Sequence, residues 1–141
     1  MPTVQTLEIL KEPGMKSPLI AKLCVALMSI GLLAAPALAD GDLKKGKKVF
    51  NKCKACHVVD KEKNKVGPHL VGLFGRTAGA VEGFKYSDAM KQSGIVWSPE
   101  TLAAYLADPK GNVPGTKMAF AGLKKEKQIT NVIAYLEDVT K

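Results

Sequence analysis

The sequence contains few of the side chains from which catalytic and metal sites are built. Its 141 residues include three cysteines, two histidines and one tryptophan. No stretch pairs a nucleophile with a base, or two carboxyl groups as general acid and general base. The glycines of residues 67–83 lack the Gly-Lys-Ser/Thr ending of a phosphate-binding loop. The chain is therefore not expected to be an enzyme.

The sequence also has no long stretch with the alternating apolar and polar residues of a β-strand. It has no internal repeat and no low-complexity linker in its C-terminal hundred residues, so one all-α domain is expected there. Apolar residues at helical spacing, together with capping residues, predict helices over residues 42–54, 87–92, 98–107 and 125–139. The intervening stretches 60–84 and 109–123 are rich in glycine and are predicted to be irregular.

One apolar run lies near the N-terminus, over residues 23–39. Two lysines precede it and an Ala-Leu-Ala sequence ends it, the arrangement of a secretory signal peptide cleaved after Ala39. An uncleaved membrane anchor is the alternative, but Pro36 and the small residues around it favour cleavage. Residues 1–39 are therefore predicted to be a signal peptide, and residues 40–141 a single domain in the bacterial periplasm.

The first fourteen residues do not suit a signal peptide, because Glu8 and Glu12 are acidic. We expect translation to begin at Met15 instead. The predicted exported domain keeps 18 of the 21 basic residues and 11 of the 13 acidic residues, so it is strongly positive. An exported protein does not meet nucleic acid, and acidic proteins are the expected partners. After cleavage the domain is expected to be a monomer without stable membrane insertion.

The stretch NKCKACHVVD contains Cys53 and Cys56, three positions apart, with His57 directly after the second cysteine. A redox dithiol normally lies at a strand-to-helix turn, whereas a basic amphipathic helix is predicted before Cys53. A zinc site would need His69 as its fourth ligand and an awkward coordination by adjacent cysteine and histidine. A disulfide with an incidental histidine is a further alternative. A c-type haem attachment site accounts for all three residues, because the thiols bond two vinyl groups and the histidine binds the iron.

A haem iron bound by His57 has a second axial position, and three side chains qualify for it. Met90 lies in a polar stretch, in which a methionine is more often a packing residue. His69 follows His57 after only twelve residues and is expected on the same side of the ring. Met118 lies far along the chain in a loop stiffened by proline and glycine, and such a loop is able to reach the opposite face. Ligation by His57 and Met118 is therefore predicted, which favours reduced iron and raises the reduction potential.

The chain resembles class I cytochrome c, in particular the c2-like and c550-like bacterial carriers, over essentially all of residues 41–140. The resemblance is carried by GDLKKGKKVFNKCKACHVV, VGPHLVGLFGRTAGAVEGFKYSDAM, a tryptophan followed by TLAAYLADPKGNVPGTKMAFAG, and ITNVIAYLEDVTK. It implies an all-α cytochrome c fold in which helices surround one covalently bound haem c and the N- and C-terminal helices cross. It also implies a one-electron carrier between respiratory, photosynthetic or dehydrogenase partners.

The resemblance also implies roles for individual residues. Cys53 and Cys56 match the thioether cysteines, and His57 and Met118 match the axial ligands. Several other residues match positions that surround the haem in the family. They are Pro68, which accepts a hydrogen bond from the axial histidine, then Arg76, Tyr86 and Trp97 at the propionates, Tyr105 and Thr116 beside the methionine, and Phe120 at the exposed edge.

The resemblance extends to the helix crossing, and the chain departs from the family pattern at one buried position. Gly46 and Phe50 match first-helix residues that pack on the last helix, against Val132 and Tyr135 here. Met90 stands where many relatives have an asparagine in a buried polar network, so an inward-pointing Met90 would alter that network.

Lysines are expected around the exposed haem edge, where they would steer acidic redox partners toward it. The expected docking residues, called the lysine rim below, are Lys52, Lys54, Lys110, Lys117, Lys124 and Lys125. The alternative for each lysine is that it only keeps the surface soluble. The alternative for the whole protein is a five-coordinate gas-binding or peroxidatic c-type haem protein, which has no need of Met118.

Overall fold

The structure is a computed structural model, and it describes residues 41–141. The predicted signal peptide of residues 1–39 and the proposed start at Met15 lie outside the described residues. Within residues 41–141 there are five helices and no strand, with a single isolated antiparallel bridge between Thr77 and Val96. The helices are α1 (Leu43–Phe50), α2 (Asp88–Gln92), α3 (Pro99–Ala107), α4 (Pro109–Asn112) and α5 (Glu126–Val139). The prediction of an all-α fold is confirmed.

Helix α1 is shorter than predicted. Its N-cap is Asp42, whose carboxylate accepts a hydrogen bond from the Lys45 amide at 2.9 Å. It ends at Phe50 rather than at residue 54, because the amides of Lys52 and Cys53 turn to acceptors three residues back, with Cys53 N donating to Phe50 O at 2.8 Å. This tighter pattern is typical of the end of a helix. Leu43, the first residue of α1, is 46 % exposed.

Helix α4 lies in the stretch 109–123, which was predicted to be irregular throughout. Asp108 caps it by accepting a hydrogen bond from Gly111 N at 3.1 Å, and Pro109 occupies the first position. A proline there loses no hydrogen bond, because the first amides of a helix have no acceptor within it. The same Asp-Pro pair therefore ends α3 and begins α4.

The first and last helices are in direct contact. A Cβ atom on Gly46 would overlap the main-chain oxygen of Asn131 and lie 2.6 Å from Cβ of Tyr135. The ring centroids of Phe50 and Tyr135 are 5.5 Å apart, and Asp42 N donates a hydrogen bond to the side-chain oxygen of Asn131 at 2.9 Å. The predicted crossing of N- and C-terminal helices is therefore present, and Asn131 joins the contacts expected from α5.

One hydrophobic core lies between the helices and the loops. Val132 of α5 is 1 % exposed, and Trp97 and Tyr105 are both buried in the same cluster. Met90 is 7 % exposed and belongs to this core, so it points inward. In the part of the chain described here, no helix has both the length and the apolarity needed to cross a membrane.

Candidate functional site

The two cysteines and the following histidine lie on the turn that leaves α1. Cys56 N and His57 N both donate to the main-chain oxygen of Cys53, at 3.0 and 2.9 Å. The thiols are partly buried and are not joined in a disulfide. Burial raises the pKa of the Cys53 thiol, while the neighbouring Lys52 acts in the opposite direction. The turn therefore holds two unbonded thiols and an imidazole close together, which does not match the disulfide alternative.

The imidazole of His57 is held by one hydrogen bond. Its Nδ1 lies 2.8 Å from the main-chain oxygen of Pro68, and because that oxygen only accepts, Nδ1 carries the hydrogen. Burial lowers the pKa of His57, and the bond to Pro68 opposes this less strongly. The ring is therefore neutral near pH 7, and its Nε2 keeps a lone pair that can bind a metal. Pro68 thus accepts the hydrogen bond from His57 that the resemblance implies.

The peptide that follows Pro68 is held from its other side. The His69 amide donates to the side-chain oxygen of Asn64 at 3.1 Å, and the side-chain nitrogen of Asn64 donates to Glu82 O at 3.0 Å. Sequence reasoning did not single out Asn64, because an asparagine in a loop is common and its partners are 5 and 18 residues away. The Nδ1 atom of His69 is buried without a hydrogen-bond partner in the described structure.

Three residues predicted to surround the propionates lie near one another. Arg76 donates from Nη1 to Val71 O at 2.6 Å and from Nη2 to His69 O at 3.1 Å. The main chains of Arg76 and Trp97 are joined, with Trp97 N donating to Arg76 O at 3.0 Å. Burial lowers the pKa of Arg76 and raises that of Tyr86, and each charge partly offsets the shift of the other. The half-buried Arg76 cation thus lies near the Tyr86 phenol, and together these groups are able to bind a carboxylate.

The residues predicted around the methionine also come together. The Tyr105 hydroxyl lies 3.0 Å from Oγ1 of Thr116 and 3.9 Å from the sulfur of Met118. Met118 N in turn donates to Thr116 Oγ1 at 3.4 Å. Burial raises the pKa of Tyr105, and its bond to Thr116 acts the other way. The ring of Trp97 is 5.2 Å from that of Tyr105, so this cluster adjoins the previous one.

Phe120 and the lysine rim differ in their exposure. Phe120 is partly buried and packs against the core. All six members of the lysine rim are exposed, and none of them forms an ion pair with another residue of the range 41–141. Within that range no three histidine, cysteine, aspartate or glutamate side chains converge as a metal site, which leaves the zinc alternative without a ligand set.

The chemistry of these groups fits a c-type haem. Two neighbouring thiols are able to form thioether bonds, a neutral imidazole offers Nε2, and a methionine sulfur is available in the loop after α4. The backbone at Gly67 lies against the ring of His57, so this position has no space for a side chain. The donor set combines soft sulfur with imidazole, which suits a haem iron better than a hard cation.

Comparison with known proteins gives a family and several relatives. A family model described as cytochrome c matches residues 43–140. A cytochrome c of Gibberella zeae is 55 % identical over 106 residues, which cover 74 % of this chain and 100 % of the relative. Cytochrome c-550 of Nitrobacter winogradskyi is 54 % identical over 102 residues, covering 72 % and 94 %. The solved cytochrome cH from Methylobacterium extorquens is 48 % identical, with a TM-score of 0.66, covering 70 % of this chain and 99 % of that one.

Proposed function

Because this chain belongs to the cytochrome c family, and so is an electron carrier with covalently bound haem c, we propose that its iron is six-coordinate. Cys53 and Cys56 would form the thioether bonds to the haem, and His57 and Met118 would bind its iron. The observation that carries this proposal is the hydrogen bond from His57 Nδ1 to Pro68 O, which places the hydrogen on Nδ1 and leaves the lone pair on Nε2. A buried metal-binding histidine commonly has such a partner.

The bound haem supplies a one-electron couple between Fe(III) and Fe(II). The chain's own residues keep the surroundings of that couple constant. The bond to Pro68 fixes the His57 ring, and Tyr105 and Thr116 hold the segment that carries the Met118 sulfur. A carrier in which both axial ligands are held in place needs little rearrangement when the iron changes oxidation state. We assign Arg76, Tyr86 and Trp97 to the propionates and Phe120 to the exposed edge.

Absorption spectra of the purified holoprotein test the ligand assignment. Low-spin six-coordinate spectra, with the near-infrared charge-transfer band of a methionine–iron(III) bond, are expected for the oxidised protein. Met118→Ala should abolish that band, whereas Met90→Ala should retain it, because Met90 is a buried core residue. Loss of the band in Met90→Ala alone would reject the assignment. A high-spin spectrum that readily takes up carbon monoxide would favour the gas-binding or peroxidatic alternative instead.

The partners are proposed to be redox proteins with acidic surfaces, such as an oxidase, a reductase, a photosynthetic reaction centre or a dehydrogenase. The exposed lysine rim, on segments that carry the cysteines and Met118, supports this proposal. Because none of these lysines pairs with an acidic side chain within residues 41–141, their charges are available to a partner. Electrostatic steering would make association fast and sensitive to salt.

The protein is proposed to act in the periplasm after removal of residues 1–39. The apolar run and its Ala-Leu-Ala ending support this proposal. N-terminal sequencing of the protein from a periplasmic extract should begin at Asp40. A membrane-bound product that retains the apolar run would contradict cleavage, and a precursor containing residues 1–14 would contradict the start at Met15.

A further inference from the structure

One peptide group connects the ring of His57 to the side chain of Asn64. The Pro68 carbonyl, which accepts from His57 Nδ1 at 2.8 Å, and the His69 N–H belong to the same peptide unit. That N–H donates to Oδ1 of Asn64 at 3.1 Å. The two hydrogen bonds therefore run in series, from the imidazole through the peptide to the asparagine.

We propose that Asn64 is a positioning residue that sets the electron-donating strength of the axial His57. This inference rests on the proposed ligation of iron by His57. Hydrogen bonds in series polarise one another, so an acceptor on the N–H makes the carbonyl of the same peptide a stronger acceptor. A stronger acceptor at Nδ1 makes the imidazole more basic at Nε2. A more basic axial ligand favours Fe(III) and lowers the reduction potential.

The second hydrogen bond of Asn64 holds it in this position. Its Nδ2 donates to the main-chain oxygen of Glu82, 18 residues further along the chain and four residues before Tyr86. One partly buried side chain therefore joins the loop below His57 to the segment proposed to contact a propionate. With both its oxygen and its nitrogen engaged, the orientation of the amide is determined, and Oδ1 faces the His69 amide.

Two substitutions separate the two bonds. Asn64→Ala removes both, and we expect a reduction potential higher than that of the wild type. Exchange of the His69 amide hydrogen should be faster by roughly three- to tenfold, as for the loss of one hydrogen bond. Asn64→Asp keeps the acceptor for His69 but loses the donor to Glu82. In this variant the His69 amide should stay protected and the potential should fall below the wild-type value, although the protein is less stable.

Asn112 provides the matched controls, since it is exposed at the end of α4 and its side chain makes no hydrogen bond within residues 41–141. Asn112→Ala and Asn112→Asp report the effects of shortening and of added charge at a site without this network. Potentials are measured on the holoprotein at high ionic strength, which screens the added charge. Unfolding by denaturant is measured on the same samples.

The outcomes distinguish an electronic role from a structural one. If Asn64→Ala is destabilised but has the potential of Asn112→Ala, Asn64 only holds the loop and the proposal is wrong. Unchanged exchange at the His69 amide also contradicts it. If Asn64→Ala yields no holoprotein, Asn64→Asp decides, because a potential equal to that of Asn112→Asp refutes the proposal and a lower one supports it. Failure of the ligand assignment is recognised separately, since the wild type would then lack the low-spin six-coordinate spectrum.

Discussion

Gly67 and His57 are in van der Waals contact, and the contact leaves no space for a side chain at residue 67. A Cβ atom built on Gly67 would lie 2.5 Å from Cε1 of the imidazole and 2.9 Å from both of its nitrogens. The same ring is bonded to the main-chain oxygen of the next residue, Pro68. Gly67 therefore limits the movement of the ring by packing against one face, and Pro68 fixes its orientation through the hydrogen bond at Nδ1.

Gly67→Ala is expected to displace the His57 ring and to lower the free energy of unfolding by about 1–3 kcal/mol, the usual cost of overpacking. The displaced ring should also lengthen the bond to Pro68, so the haem spectrum and the reduction potential should change. Gly72→Ala is the control, because Gly72 has a φ of 64° and nothing within 4 Å of an added Cβ. That variant should lose roughly 1–2 kcal/mol through backbone strain alone and keep the wild-type spectrum.

Tyr105→Phe is expected to weaken the attachment of Met118 without emptying the core. The substitution removes the hydroxyl that bonds Thr116 at 3.0 Å, at a cost of about 0.5–1.5 kcal/mol in unfolding free energy. Thr116 Oγ1 also accepts a hydrogen bond from the Met118 amide. The near-infrared band should therefore disappear at a lower temperature than in the wild type. Tyr135→Phe is the matched control, since the Tyr135 hydroxyl makes no hydrogen bond within residues 41–141. Equal behaviour of the two variants would argue against a role for Tyr105.

Gly46→Ala should destabilise the protein, although alanine is the better helix former by roughly 1 kcal/mol. The added methyl group would collide with the main-chain oxygen of Asn131 and with Cβ of Tyr135, so α1 and α5 would have to separate. We expect a loss of about 1–3 kcal/mol in denaturant unfolding. Lys47→Ala, at the next and exposed position of α1, should be neutral or slightly stabilising. A stabilised Gly46→Ala protein would show that the helices do not cross as closely as described.

Much of this architecture was predictable because its signals are local. Asp42 and Ser98 are N-caps at the start of two of the predicted helices, and Ser87 is the N-cap of a third. Where a helix ends depends less on local residues. Helix α1 stops at Phe50 because the amides of Lys52 and Cys53 bond three residues back, and no residue in that stretch is a glycine or proline that would mark the change.

The candidate site divides in the same way. The cysteines, His57 and Met118 are recognisable because their residue types and spacing match one chemistry. Asn64 could not be found from the sequence, because its importance lies in bonds to His69 and Glu82 that only the folded loops bring together. The inward position of Met90 was likewise undecided until its burial was known, since a methionine in a polar stretch fits either the core or the surface.

The stability of the protein should depend on the ionisation of Asp42 at low pH. Hydrogen bonds from the Lys45 amide and side chain hold the pKa of this carboxyl below its ordinary value of 3.8. Because the unfolded chain then binds the proton first, the contribution is present above pH 3.8 and is lost as the pH falls through the folded-state pKa. Asp42→Asn retains a capping side chain that does not titrate.

The measurement is the unfolding free energy of wild type minus that of Asp42→Asn, from neutral pH to about pH 2. This difference in free energy should be constant near neutral pH. As the pH falls below 3.8, the wild type should lose stability relative to Asp42→Asn. Taking the difference cancels the titration of other carboxyl groups, including Glu100, whose pKa is also lowered by its bond to Ser98. A difference that does not vary with pH would contradict the assigned pKa shift.

Charge reversal at the lysine rim should slow association with an acidic redox partner. Lys117 is exposed and directly precedes Met118, whereas Lys47 is exposed on α1. Lys117→Glu and Lys47→Glu change the net charge equally, so a difference between them reports the position of the charge and not its sum. Both should leave the unfolding free energy within roughly 0.5 kcal/mol of the wild type.

In stopped-flow electron transfer at low ionic strength, Lys117→Glu is expected to have a severalfold smaller second-order rate constant than Lys47→Glu. Raising the salt concentration should bring the two rates together, because exposed charges are screened beyond about 10 Å at 0.1 M. If both variants slow association equally at every ionic strength, the partner responds only to net charge and the rim is not a docking site. If neither variant differs from the wild type, the lysines only keep the surface hydrated.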